Sequence, residues 1–157
     1  MTPPNVALYE WIRRTFDFKG RSTRAHFWWP FLFSFVVQFM LVLLFVSSVG
    51  PDVLQSLLDW VESRPSNFDG LDIGPLPSLA KFVLTFLIVV ALLTFVPNIS
   101  VSWRRFQDMN RPGWLHLIFL VGRLVGGGML IAIVELIWFA FPGTNGPNRF
   151  GPDRVVR

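Results

Sequence analysis

Residues 27–49 read FWWPFLFSFVVQFMLVLLFVSSV, 23 positions without one charge. A bilayer core of roughly 30 Å is crossed by about 20 helical residues. A surface helix of a soluble protein would show polar positions every third or fourth residue, and this stretch does not. Residues 82–101 add 20 more uncharged positions. Residues 114–141 add 28, interrupted only by Arg123 and Glu135. The expected fold is therefore an all-α integral membrane protein in one domain: two transmembrane helices at 27–49 and 79–101 plus a third hydrophobic region at 114–141. The 52% apolar content alone would not decide this, because soluble globules reach it too. The clustering decides it.

The first run is not read as a cleaved signal. It starts 26 residues in, exceeds a signal h-region in length and lacks an A-x-A-like exit. Orientation follows from Lys and Arg counts in the flanking segments. Residues 1–26 carry five basic residues, 50–78 carry only Arg64, 102–113 carry three and 142–157 carry three. The first loop is acidic, with Asp52, Asp59, Glu62, Asp69 and Asp72. The N-terminus, the second loop and the tail are thus expected in the cytoplasm and the first loop outside. Three crossings from a cytoplasmic N-terminus would put the tail outside, so the third region poses a parity problem. One straight helix of 28 residues would be about 42 Å long, long for a single span. Gly126-Gly127-Gly128 near its middle is a natural break. The alternatives are one long tilted span or a short helical hairpin whose arms of about 20 Å would be covered by protein or water. Arg123 and Glu135 sharpen the choice. A charge at bilayer depth costs about 2.5–3.5 kcal/mol on insertion scales. In one straight helix the two would stand about 18 Å apart; in a hairpin turning near Gly127 they could pair.

Other segments read as interfacial. Leu8, Ile12 and Phe16 recur every four residues with Arg13 and Arg14 off the stripe, an amphipathic helix lying on the inner surface. Leu54, Leu57, Leu58 and Val61 follow Pro51-Asp52 at helical spacing, a second surface helix, and residues 63–78 form a loop rich in Pro, Gly, Ser and Asp. Trp28, Trp29, Trp103 and Trp114 would all sit at the cytoplasmic interface, joined by Trp138 in a hairpin.

Three polar motifs share that face. In residues 18–29, Arg21 and Arg24 beside an aromatic belt suit bidentate contact with lipid phosphates, or ordinary positive-inside anchoring. In residues 103–114, Asp108 is the one carboxylate of a basic loop and is expected to pair with Arg104, Arg105, Arg21 or Arg24, as a structural turn or as part of a polar site. In residues 142–152, dense Gly, Pro and Asn read as a flexible tail, or as a turn that docks back through Arg149 and Phe150. With no cysteine and only His26 and His116, both read as interface residues, cysteine chemistry is excluded and no metal site or cofactor is expected. No phosphate-binding glycine loop, nucleophile elbow or zinc protease helix is present. Asn98-Ile99-Ser100 matches a glycosylation pattern inside a membrane segment and carries no weight.

Taken together, Gly20-Arg21-x-x-Arg24-x-x-Phe27-Trp28, Arg104-Arg105-Phe106-Gln107-Asp108, Pro112-Gly113-Trp114 and Pro142-Gly143-x-x-Gly146-x-Asn148-Arg149-Phe150-Gly151-Pro152 resemble a small bacterial inner-membrane family known as domain of unknown function 805. The resemblance spans nearly the whole chain and implies a multi-pass inner-membrane protein without an assigned activity. The family's second motif usually reads R-R-L-H-D. Here Phe106 and Gln107 stand at the Leu and His positions, so no role of that histidine carries over, and the first loop is longer than is typical.

The functional expectation is a cytoplasmic-face basic pocket of Arg21, Arg24, Arg104, Arg105 and Arg149 around Asp108, binding anionic lipid headgroups or an acidic partner. The alternative is a small oligomeric transporter or channel using the broken third segment with its Arg123 and Glu135 pair. No nucleophile, base or metal set marks an enzyme. Membrane lipids, a second copy or a membrane protein are the expected partners, and nucleic acid is not.

Overall fold

A computed structural model describes residues 2–63 and 76–153. Among these residues six α-helices follow in order: α1 (Pro4–Arg13), α2 (Arg24–Val49), α3 (Pro51–Ser63), α4 (Ser78–Asp108), α5 (Leu115–Gly122) and α6 (Gly128–Ala140). A five-residue π-type turn, Arg123–Gly127, joins the last two. Among the described residues there is no strand, only an isolated bridge between Asn148 and Gly151. The chain is an all-helical integral membrane protein. α2 and α4 are long and apolar enough to cross a membrane, and only 11% of the most apolar window of each is buried, so these are not the core helices of a soluble protein. Pro30 and Pro97 lie inside them, as membrane helices tolerate.

The chain divides into two compact units, Met1–Ser34 with Leu93–Arg157, and Phe35–Leu92. The second unit contains α3, the surface helix expected from the Leu54 stripe, with Leu54, Leu58 and Val61 exposed. Most of the expected 63–78 loop, with Arg64, Asp69 and Asp72, lies outside the described residues.

The first unit holds the motifs and has an aromatic core. Trp11, Phe27, Val101, Phe106 and Phe139 are buried together, drawn from α1, α2, α4 and α6. Phe106 is fully buried, and its ring meets Phe139 at 4.9 Å, Trp138 at 5.7 Å and Phe119 at 5.8 Å. Rings of this size bury much apolar area and prefer such offset and edge contacts.

α1 starts with Pro4 in its first turn and ends on Arg13, an order that suits the fixed φ of proline and the negative helix C-terminus. It is more than the interfacial helix of the sequence pattern. Ala7 and Trp11 are buried and Leu8 packs on the core, whereas Ile12 and Phe16 of the expected stripe are exposed. The turn after α1 is clipped to α4, because Ser100 Oγ donates to the carbonyls of Arg14 and Asp17, at 2.9 Å each.

The two alternatives for the third region resolve. Gly126 adopts φ +118° with no atom within 4 Å of where a Cβ would sit. This left-handed backbone reverses the chain, and a residue without Cβ adopts it at little cost. α5 and α6 pack on each other, so residues 114–141 form a helical hairpin, not one tilted span. The second loop is also shorter than read from the sequence: α4 stays helical through Asp108, so Arg104, Arg105 and Asp108 project from its last turns rather than from a loop.

Candidate functional site

Arg105 and Asp108 lie three residues apart at the end of α4, on one helical face. Arg105 Nη1 donates to Asp108 Oδ2 at 2.5 Å. Its Nε and Nη2 donate to Phe139 O at 3.2 and 2.9 Å, and Nη2 also donates to Phe141 O. Arg21 approaches from the segment between α1 and α2. Its Nε donates to Asp108 Oδ1 at 2.9 Å, Nη1 to Gly146 O at 2.6 Å and Nη2 to Thr144 O at 2.5 Å. Asp153 Oδ1 lies 3.8 Å from the same guanidinium. The two side chains of Arg21 and Arg105 are 1% and 0% exposed. One carboxylate thus splits its oxygens between two buried arginines, whose further hydrogen bonds go to carbonyls, those of Thr144 and Gly146 in the tail for Arg21 and those of Phe139 in α6 and Phe141 just after it for Arg105.

The backbone closes the same knot. Ser22 N–H donates to Arg104 O, and Thr144 N–H and Oγ1 both donate to Asp108 O. Asn148 Nδ2 donates to Gln107 O and to Thr144 Oγ1. Gly143 comes so close that a Cβ there would lie 2.0 Å from Asp108 Oδ2. The tail at 142–152 is therefore a docked turn, with Asn148 and Gly151 exchanging backbone hydrogen bonds of 3.0 Å.

The three polar motifs, the tail among them, meet at one end of this unit, yet the residues play different parts. Arg21 and Arg105 are not held open for a headgroup, because burial has committed their donors to Asp108 and to carbonyls. Arg104 is buried, with Nε reaching back to Ser100 O at 3.3 Å. Arg149 is exposed, stacks on Phe150 at 4.7 Å and donates to Asn110 O at 3.1 Å. Arg24 is exposed at the first residue of α2. Gln107 is buried, and its Oε1 has no hydrogen-bond partner among the described residues. Desolvation on partial burial raises Asp17, but the Lys19 N–H, the Arg14 hydrogen bond and charge and the Arg104 charge outweigh it and hold the carboxyl below its ordinary 3.8.

A second cluster lies in the hairpin. Glu135 is 1% exposed. Its Oε2 accepts from Arg123 Nη2, so the charge pair anticipated from the sequence is formed. Its Oε1 meets His116 Nδ1 at 2.7 Å. His116, expected at the interface, is buried instead. The signal for it was its place on α5 opposite Glu135, visible only once a hairpin is assumed. His26 is partly buried, with Nδ1 2.8 Å from Thr23 Oγ1 and Nε2 3.5 Å from Glu10. Among the described residues no three His, Cys, Asp or Glu side chains are grouped to hold a metal ion.

Residues 15–152 match the family described as Protein of unknown function (DUF805). Inner membrane protein YhaH of Escherichia coli K12 is 29% identical over 142 residues, covering 90% of this chain and 90% of the relative. Inner membrane protein YhaI of the same organism is also 29% identical over 142 residues, covering 90% of this chain and 89% of the relative. No solved structure matches.

Proposed function

The chain belongs to the DUF805 family, and on that premise we propose that it is a bacterial inner-membrane protein that holds anionic phospholipid headgroups at its cytoplasmic face. In this reading the N-terminus, the turn after α4 and the tail lie inside, where Lys and Arg are retained. The supporting observation is how the arginines divide. Arg21 and Arg105 spend three and four hydrogen bonds inside the protein. Arg24, Arg111 and Arg149 are exposed, at the end that also exposes Trp29 and Trp114. Arg24 opens α2, where the helix dipole disfavours a cation, so helix stability gives no reason for it. The buried knot holds the segments that carry this rim in register. Tryptophan settles at headgroup level, and each basic residue near an anionic surface contributes about 1 kcal/mol.

The test compares wild type with the triple variant Arg24→Gln, Arg111→Gln, Arg149→Gln in detergent supplemented with phosphatidylglycerol or phosphatidylcholine. At about 1 kcal/mol per residue the triple variant binds the anionic lipid roughly a hundredfold more weakly. Its extra thermal stabilisation by phosphatidylglycerol should disappear, while its melting in phosphatidylcholine stays near wild type. Equal stabilisation of wild type by both lipids would sink the reading.

A small transporter or channel is a second reading, favoured by the broken third segment and the ion cluster at its centre, since broken helices line binding sites in transporters. Liposome ion flux that disappears in Glu135→Gln is its test.

A further inference from the structure

The hairpin carries three ionisable side chains that the basic end does not use. His116 and Arg123 follow each other on one arm, seven residues and about 10 Å apart along the axis. Glu135 on the other arm divides its oxygens between them. The side chains are 7% exposed for His116, 1% for Glu135 and 32% for Arg123. Around them the hairpin is apolar, and Leu124, Val125, Met129 and Leu130 at its tip are exposed.

A tie between two arms does not need charge. Apolar contact already closes them, since a Cβ on Gly122 would meet Ile131 Cδ1 at 2.8 Å. Buried ion pairs can often be replaced by apolar residues without loss. Charge balance does not need the histidine either, because Glu135 and Arg123 already sum to zero. The imidazole adds something else. With Nδ1–H donating to Glu135 it is complete as a neutral ring, and Nε2 remains as the basic atom. If Nε2 takes a proton from hydronium and water leaves, the Nδ1–H donation to Glu135 persists unchanged. One geometry therefore satisfies both protonation states. Imidazole is the side chain whose charge ordinarily changes between pH 5 and 8, and ionisable groups at membrane depth mark proton and ion pathways.

We infer that His116, Glu135 and Arg123 form a proton-binding site within the membrane-embedded hairpin, with the exchangeable proton on His116 Nε2 and Glu135 as its counter-charge. His116 stands two positions after Trp114, close to the basic end, and Arg123 begins the turn toward the tip. Among the described residues the charged groups facing the site are Arg123 on its own arm and Glu135 opposite. From α4, Arg105 reaches α6 only at Phe139 O and beyond it Phe141 O, and is paired with Asp108. The site deepens the transporter reading by naming the proton as the ion bound, and binding is measured separately from flux.

His26 and His116 are the two histidines of the chain, so His26→Gln leaves His116 as the one imidazole signal. That variant, with 15N-labelled histidine in lipid nanodiscs, is followed by NMR from pH 8 to pH 5. Nε2 should pass reversibly from bare to protonated. Adding Glu135→Gln should weaken proton binding about tenfold, because the counter-charge is lost. Adding Arg123→Gln should tighten it, because a like charge is lost. A merely structural tie would not order the three proteins this way. A ring that keeps one protonation state throughout, or affinities that do not move in these opposite directions, would overturn the assignment. Protonation as described without liposome proton flux would support the site and remove the transport reading.

Discussion

Replacing Asp108 by alanine removes the one carboxylate that faces both buried arginines of the knot, Arg21 at 2.9 Å and Arg105 at 2.5 Å. The carboxylate is 6% exposed, so its departure does not bring water to the guanidiniums at once. Breaking a buried pair by removing one partner costs about 3–5 kcal/mol, because the remaining charge stays desolvated. Arg21 would keep Thr144 O, Gly146 O and the more distant Asp153, and Arg105 would keep Phe139 O and Phe141 O. Those acceptors place the expected loss near the lower end, about 3 kcal/mol. Against a typical stability of about 5–15 kcal/mol that is a large fraction. The assay is unfolding in mixed micelles by titration with dodecyl sulfate, followed by circular dichroism. The cycle is completed with Arg105→Met and the pair Arg105→Met with Asp108→Leu. The pair should be less destabilised than Asp108→Ala alone, because only Arg21, and no longer Arg21 and Arg105 both, is then left buried without its carboxylate. A loss below about 1 kcal/mol for Asp108→Ala would show that the knot is not what joins α4 to the tail.

Three further outcomes are expected. Gly143→Ala puts a Cβ 2.0 Å from Asp108 Oδ2 and should cost about 1–3 kcal/mol by overpacking; hydrogen exchange should show the tail backbone at 144–151 losing protection. Gly126→Ala has open space around it but φ +118°, so it should lose about 1–3 kcal/mol from backbone strain alone, seen in the same micelle titration without any change at the knot. Asp17 has its folded-state carboxyl below the ordinary 3.8, so its contribution is present above that value and disappears as pH falls through the lowered one. Wild type should therefore lose slightly more stability than Asp17→Asn on acidification below about pH 4, a small effect because the side chain is 44% exposed.

Much of the candidate site was legible as motifs and little of it as contacts. Asp108 stood out as a lone carboxylate among arginines, and its pairing with Arg21 and Arg105 is what the structure contains. The pattern could not say which arginines would be buried. That depends on the tail, whose Thr144 and Gly146 carbonyls lie 123 and 125 positions from Arg21. Arg24 and Arg149 look no different in sequence from Arg21, and they end up exposed. The burial of His116 is hidden from the sequence for a related reason. Its partner is 19 positions away on the other arm, and a short helix with one polar residue reads the same whether that residue faces lipid, interface or a carboxylate.

The sequence by itself determined the membrane class, the helical character, the two long apolar helices and a breakpoint within Gly126-Gly127-Gly128. Each follows from the local sum of apolar residues along a run or from the conformational freedom of one residue, and neither needs a distant partner. Tertiary structure alone decided that residues 114–141 turn back, that the tail docks, and which charges are spent inside. A buried charge is stable only where opposite charge and hydrogen-bond acceptors surround it. That surrounding is assembled from segments far apart in the chain, here 87 positions between Arg21 and Asp108, and no local pattern records it.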